Sequence, residues 1–158
     1  MKTKSLLTIL TFGLGLTLAV LWLLGGASLP TVHAADINTI DTTNDDLTAN
    51  GNCTLREAIQ AANTDAAVDN CSAGSGADII MLPAGVYTLT LPGNEENNNA
   101  TGDLDVTSPL TIIGAGADQT TINANGLDRI FDLHSGASTV VISGVTIMGG
   151  NASTGGGI

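Results

Sequence analysis

The chain predicts a mainly β fold: the start of a parallel β-helix, a solenoid of short strands, fronted by one capping α-helix. Three observations predict it. From Asp103 onward the sequence is a series of brief β-rich runs, with Gly, Asn, Asp or Ser between them. "TIIG" (111–114) and "VISG" (141–144) recur about 30 residues apart, inside the range that marks solenoids and arrays. Near the front, "NCTLREAIQAA" (52–62) is helical instead, with Leu55, Ala58, Ile59 and Ala62 on one face.

The first 34 residues stand apart from the fold. A basic start with Lys2 and Lys4 precedes an uncharged apolar run from Leu6 to Leu24, broken by Gly25 and Pro30. Val32-His33-Ala34 offers small residues for cleavage after Ala34, so residues 1–34 are expected to be a secretory signal peptide. The alternative is a retained membrane anchor, because the run is about as long as the lower limit for a spanning helix.

Removing this segment leaves Arg56 and Arg129 against all 15 acidic residues, a net charge of about −13. Such a surface repels nucleic acid, anionic lipid and polyanionic sugars, and it attracts divalent cations. Aromatic residues make up 3% of the chain, so the core must be aliphatic.

Residues 35–77 are expected to form an N-terminal cap. A short strand (Ile37 to Ile40) and a polar loop lead to the helix, from about Thr54 to Asn63. Thr54 followed by Glu57 is a capping box. Leu55, Ile59 and Ala62 are expected inward, Arg56 and Gln60 outward. Cys53 and Cys71 in an exported chain predict a disulfide; the roughly 18-residue loop it closes is worth about 3 kcal/mol. A lid of this kind suits a solenoid, whose first turn otherwise exposes an apolar end and unpaired strand edges.

Residues 78–158 are expected to be the first rungs. "DIIMLPAGVYTLTL" (78–91) gives an apolar strand, a turn at Pro83-Ala84-Gly85 and an alternating strand. "PGNEENNNATG" (92–102) has no apolar anchor and is expected to be a mobile surface loop. Beyond it, Ile112, Ile122, Phe131, Leu133, Val140, Ile142, Val145 and Ile147 are the candidate core stack. Asn123, Asn125 and Asn151 are candidate bends with left-handed backbone. Asn125-Gly126 is also a hairpin signal, so an antiparallel sandwich is the competing architecture.

"CTLREAIQAAN" resembles the CSLREA signature of exported bacterial proteins: Cys53, Leu55, Arg56, Glu57 and Ala58 match, and Thr54 stands for Ser. "GADIIMLPAGVYTLTL" and "TGDLDVTSPLTIIGAGADQTTINANGLDRIFDL" are similar to the segments downstream of that signature in the family, so the resemblance covers most of the mature chain. It implies a right-handed parallel β-helix of the pectin-lyase-like kind, in a secreted or cell-surface protein. Members are generally longer and often carry a C-terminal anchor. This chain stops at "GGNASTGGGI", in mid-repeat, and is expected to be a fragment or a truncated product.

The chemistry-bearing residues are sparse. Asp103 and Asp105, at i and i+2, share a strand face and form a conceivable glycosidase pair or, with carbonyl oxygens, a Ca²⁺ site. Their plainer role is a solvated strand edge. Asp45 and Asp46 are a second Ca²⁺ candidate. Asp128 and Asp132 flank Arg129 and predict a weak surface ion pair. A lyase acting on acidic sugars needs cations that this chain lacks. No catalytic residue is assigned and no cofactor beyond Ca²⁺ is implied. The sequence favours a non-catalytic rod or scaffold binding extracellular glycan or protein, with no nucleic-acid partner. Membrane contact would run only through an uncleaved leader or a missing anchor. The alternative is a polysaccharide lyase or glycoside hydrolase whose site lies in rungs absent here.

Overall fold

A computed structural model describes residues 36–37, 40–94 and 96–158. The leader expected at 1–34 lies outside them. Among the described residues no helix is long and apolar enough to cross a membrane.

Nine short strands and one α-helix make up this part: β1 (Asp36–Ile37), α1 (Leu55–Thr64), β2 (Asp78–Leu82), β3 (Gly85–Thr88), β4 (Leu104–Val106), β5 (Leu110–Gly114), β6 (Thr120–Asn123), β7 (Phe131–Leu133), β8 (Val140–Ser143) and β9 (Thr146–Met148). They form three sheets, ordered β1-β2-β5-β8, β3-β6-β9 and β4-β7. Every strand pair in these sheets is parallel. From β2 onward the chain visits the three sheets in strict rotation, and each strand pairs with the one three places later.

Register puts like on like. Ile80 pairs with Ile112 and Ile112 with Ile142; Tyr87 pairs with Ile122 and Ile122 with Ile147; Leu104 pairs with Phe131. The inward side chains Ile80, Ile112, Ile122, Leu104 and Phe131 are fully buried, whereas Met81 and Val86, one residue out of phase, face outward and are exposed. Period-two alternation thus builds a largely aliphatic interior along these strands, with Thr120 of β6 buried beside Ile122. Leu133 departs from expectation and is 39% exposed, because β7 is the outer strand of its sheet. Phe131, on the same strand, is covered; its N–H donates to Gly157 O.

The recurrence of "TIIG" and "VISG" is a register match. Ile113 pairs with Ser143, which places Gly114 against Gly144 at the corner. A Cβ on Gly114 would run into the Gly144 carbonyl, and Gly144 has φ +65°. Only glycine fits both demands.

The sandwich alternative fails on pairing direction. Asn125-Gly126 does turn the chain with φ 56° and 73°, but it joins β6 to β7, which belong to different sheets. Asn125 alone of the three candidate bend asparagines is left-handed. Asn123 instead accepts from the Asn125 N–H at 2.9 Å.

Helix α1 lies beside β2 and β4. Leu55, Ala58, Ile59, Ala61 and Ala62 are its buried apolar face. Its polar side chains take the place of a neighbouring strand along β4. Asn63 Nδ2 donates to Asp105 O at 2.7 Å, and Asn63 Oδ1 accepts from Thr107 N at 2.8 Å. One side-chain amide thereby serves two backbone groups that a strand would otherwise pair. Ser108 Oγ adds a bond to Ala62 O at 3.0 Å. This edge is sealed against further strand addition.

Replacing Asn63 by Ala leaves the Asp105 carbonyl and the Thr107 N–H without these partners. Urea unfolding of Asn63→Ala is expected to show a loss of about 1–3 kcal/mol. An unchanged midpoint would show that the amide does not carry the edge.

Candidate functional site

The residues of "CTLREA" form one connected cluster. Cys53 and Cys71 are joined in a disulfide with Cα atoms 4.9 Å apart, both residues buried. Thr54 is the N-cap of α1. Its Oγ1 accepts from Glu57 N at 3.1 Å and donates to Asp46 O at 3.0 Å, while Glu57 Oε2 accepts from Thr54 N at 2.9 Å. Burial, partly offset by these hydrogen bonds, pushes the Glu57 carboxyl above its ordinary value.

Arg56 reverses the sequence expectation. It points inward, and its side chain is fully buried. Nε donates to Asp45 Oδ1 at 2.6 Å and Nη2 to Asp45 Oδ2 at 3.3 Å. Nη2 also donates to Gly102 O at 2.9 Å, and Nη1 to Asp103 O at 2.8 Å and Asn99 O at 3.4 Å. A guanidinium has five N–H donors, and each has an acceptor here. Asp45, its side chain 4% exposed, also accepts from Thr90 N at 2.6 Å and Leu91 N at 3.2 Å. The pair therefore ties together the 41–52 segment, α1, the end of β3 and the loop entering β4.

The loop at 92–102, expected to be a mobile surface loop for want of an apolar anchor, is held by polar groups of its described residues. Asn99 is fully buried with φ 58°; its Nδ2 donates to Arg56 O at 2.8 Å and its N–H to Asp105 Oδ2 at 2.8 Å. Glu96 accepts from Ala100 N and Thr101 N at 2.7 and 2.8 Å. Gly102, at φ +64°, brings its carbonyl to Arg56 in a space where a Cβ would meet Gly93 O.

Beneath this loop lies the other charged group. Asp103 and Asp105 are 2% and 0% exposed, so they are not a solvated strand edge. Each has its own partner. Asp103 Oδ2 lies 2.8 Å from Arg129 Nε, and Asp105 Oδ1 lies 2.8 Å from His134 Nε2. Arg129 therefore pairs foremost with Asp103, with Asp132 at 3.4 Å and Asp128 at 3.9 Å. The expected surface pair is a partly buried network, because β4 stacks directly on β7 with Asp105 opposite Asp132. Loss of water pushes the Asp103 carboxyl up to about 6; neighbouring Asp105 and Asp128 add to the rise and Arg129 opposes it. Burial raises Asp105 as well, against the hydrogen bonds from His134 and Asn99.

Sequence reasoning missed Asn63, Asn99 and the pairing of His134. The signal for His134 was present: "LDV" (104–106) aligns with "FDL" (131–133), which brings Asp105 over Asp132 and His134 two residues on. Asp45 serves Arg56 and Asp46 serves Thr54, the latter through its carbonyl.

Chemically, this arrangement holds segments together. A glycosidase needs two carboxylates that a sugar can reach; Asp103 and Asp105 are shielded and engaged. Among the described residues the two arginines, Arg56 and Arg129, are both bound to carboxylates. Two shallow depressions flank residues 40–46, one against Pro83, Ala84 and Tyr87, the other against Val86, Thr88 and Thr90; neither contains a histidine, lysine or arginine. No protein-family model, no curated protein and no solved structure matches this chain.

The raised carboxyls give a pH dependence of definite sign. Asp103 binds a proton more tightly folded (about 6) than at its ordinary value of 3.8, so its contribution is full below 3.8 and is lost as pH rises through 6. In metal-free buffer, stability is expected to rise by about 1 kcal/mol from pH 7.5 to pH 5. Asp103→Asn should flatten that slope. A wild-type protein less stable at pH 5 than at pH 7.5 would contradict it.

Proposed function

We propose that this chain folds as an exported right-handed parallel β-helix that acts as a non-catalytic scaffold, a stiff rod or surface presenting flat sheet faces to extracellular glycan or protein. The single observation that carries the non-catalytic reading is the fate of its charged side chains. Both arginines and the Asp103–Asp105 pair are occupied in holding chain segments together, and the most buried of them is inaccessible to any substrate.

The architectural half of the proposal rests on the rotation of the chain through three parallel sheets and on the in-register stacking of Ile80, Ile112 and Ile142. The "CTLREA" segment is then the cap of the solenoid, and its likeness to the CSLREA signature is a likeness of capping chemistry. The Cys53–Cys71 bridge is consistent with an oxidising compartment. An acidic surface favours neutral or cationic partners over polyanions.

The test is direct. The exported protein, incubated with neutral and acidic polysaccharides, is expected to release neither new reducing ends nor unsaturated uronides, while retaining a subset of immobilised glycans or surface proteins. Its N-terminus should be Ala35. Turnover of any polysaccharide that is abolished by Asp103→Asn or Asp105→Asn would overturn the scaffold reading.

A further inference from the structure

Three metal-ligating side chains converge at the stacked pair of β4 and β7. Asp105 pairs with Asp132 across the sheet, and His134 comes two residues later. His134 Nε2 lies 2.8 Å from Asp105 Oδ1 and 3.9 Å from Asp132 Oδ2. One donor atom from each residue falls within 4.8 Å of the other two. We propose that Asp105, Asp132 and His134 bind a divalent transition-metal ion of the zinc class.

Geometry and donor type both favour that class. Tetrahedral coordination at about 2.0–2.1 Å sets ligand atoms about 3.3 Å apart, a value the two measured separations bracket. One imidazole with two carboxylates suits zinc-like ions, whereas Ca²⁺ takes six to eight oxygens. Asp103, named with Asp105 in the sequence-based Ca²⁺ expectation, is instead held by Arg129 at 2.8 Å.

Three features of the surroundings support binding. First, charge is unbalanced: Asp103, Asp128 and Asp132 share Arg129, and Asp105 beside them has His134 as its partner. The Asp128 side chain is 8% exposed, and among the described residues its Oδ2 has no hydrogen-bond partner. A dication reduces this excess. Second, the Asn99 N–H holds Asp105 Oδ2 at 2.8 Å, which fixes the carboxylate with Oδ1 toward His134, as outer-shell donors do in metal sites. Third, Asp132 and His134 are 26% and 27% exposed, so an ion can enter from solvent and a water can complete its shell. Arg129 competes for Asp132 at 3.4 Å but keeps Asp103 as its nearer partner.

On binding, the Nε2 lone pair goes to the metal in place of the 2.8 Å contact with Asp105, and any proton held on Nε2 passes to solvent.

The test uses Zn²⁺ alone and Ca²⁺ alone as probes on the full exported protein, by titration calorimetry at pH 7.5 without reductant. One Zn²⁺ is expected per chain, with Ca²⁺ giving no saturable signal. His134→Gln and Asp132→Asn, both at partly exposed positions, should weaken Zn²⁺ binding at least about tenfold and leave the metal-free melting temperature near that of the wild type. His33→Gln, where the leader is retained, should bind as the wild type does. If either site variant fails to fold, histidine NMR on the wild type decides: Zn²⁺ should shift the His134 ring signals. Absence of saturable Zn²⁺ binding, binding that survives His134→Gln, tighter Ca²⁺ than Zn²⁺ binding, or unshifted His134 signals would each overturn the proposal.

Discussion

The Arg56 guanidinium is withdrawn from water, and a charge so placed is tolerated only when its donors and its counter-charge are fully matched. Asp45 supplies the counter-charge and the carbonyls of Asn99, Gly102 and Asp103 supply the rest. Those acceptors come from segments distant in sequence, so satisfying one side chain fixes where residues 45, 90–91 and 99–103 lie against α1. Lysine would not substitute: it has three donors on a point charge and cannot match a carboxylate in fork geometry. The glycine at position 102 and the left-handed asparagine at 99 present carbonyls in the directions this side chain requires.

The same end of the molecule solves a second problem. A stack of parallel strands has open edges, and open edges pair with other chains. Here α1 closes the β4 edge with side chains: Arg56 takes Asp103 O, and Asn63 takes Asp105 O and Thr107 N. The capping box and the disulfide hold the helix in position for this, and its aliphatic face joins the core. Keeping strand-like hydrogen bonding without a strand lets the chain begin a parallel architecture cleanly. The charged group at β4 and β7 is a consequence of that architecture. Parallel register stacks Asp105 on Asp132, and stacked carboxylates must find a cation, a proton or a histidine.

Much of the fold was legible in the sequence, for a physical reason. Period-two alternation, the "TIIG"–"VISG" repeat and the capping box are local signals, and local signals fix strands, corners and the helix. Partners distant in sequence were not legible. Arg56 was expected outward because helical periodicity places it off the apolar face, and periodicity is blind to a buried polar acceptor set built by residues 45 and 99–103. The 92–102 loop lacks apolar anchors, and its polar anchors have meaning only once Glu96 and Asn99 are seen with their backbone partners. Leu133 was expected in the core from its alternation alone, which says nothing about which strand is outermost.

The buried network engages Arg56, Arg129, Asp103 and Asp105 with segments distant in sequence. The most direct test of that network is amide hydrogen exchange on Arg56→Lys, compared with the wild type. The account predicts that protection falls together at Thr90 and Leu91, through residues 96–106 and in α1, while β8 and β9 retain theirs. Loss of protection confined to α1, with Thr90, Leu91 and the 96–106 segment unchanged, would contradict it.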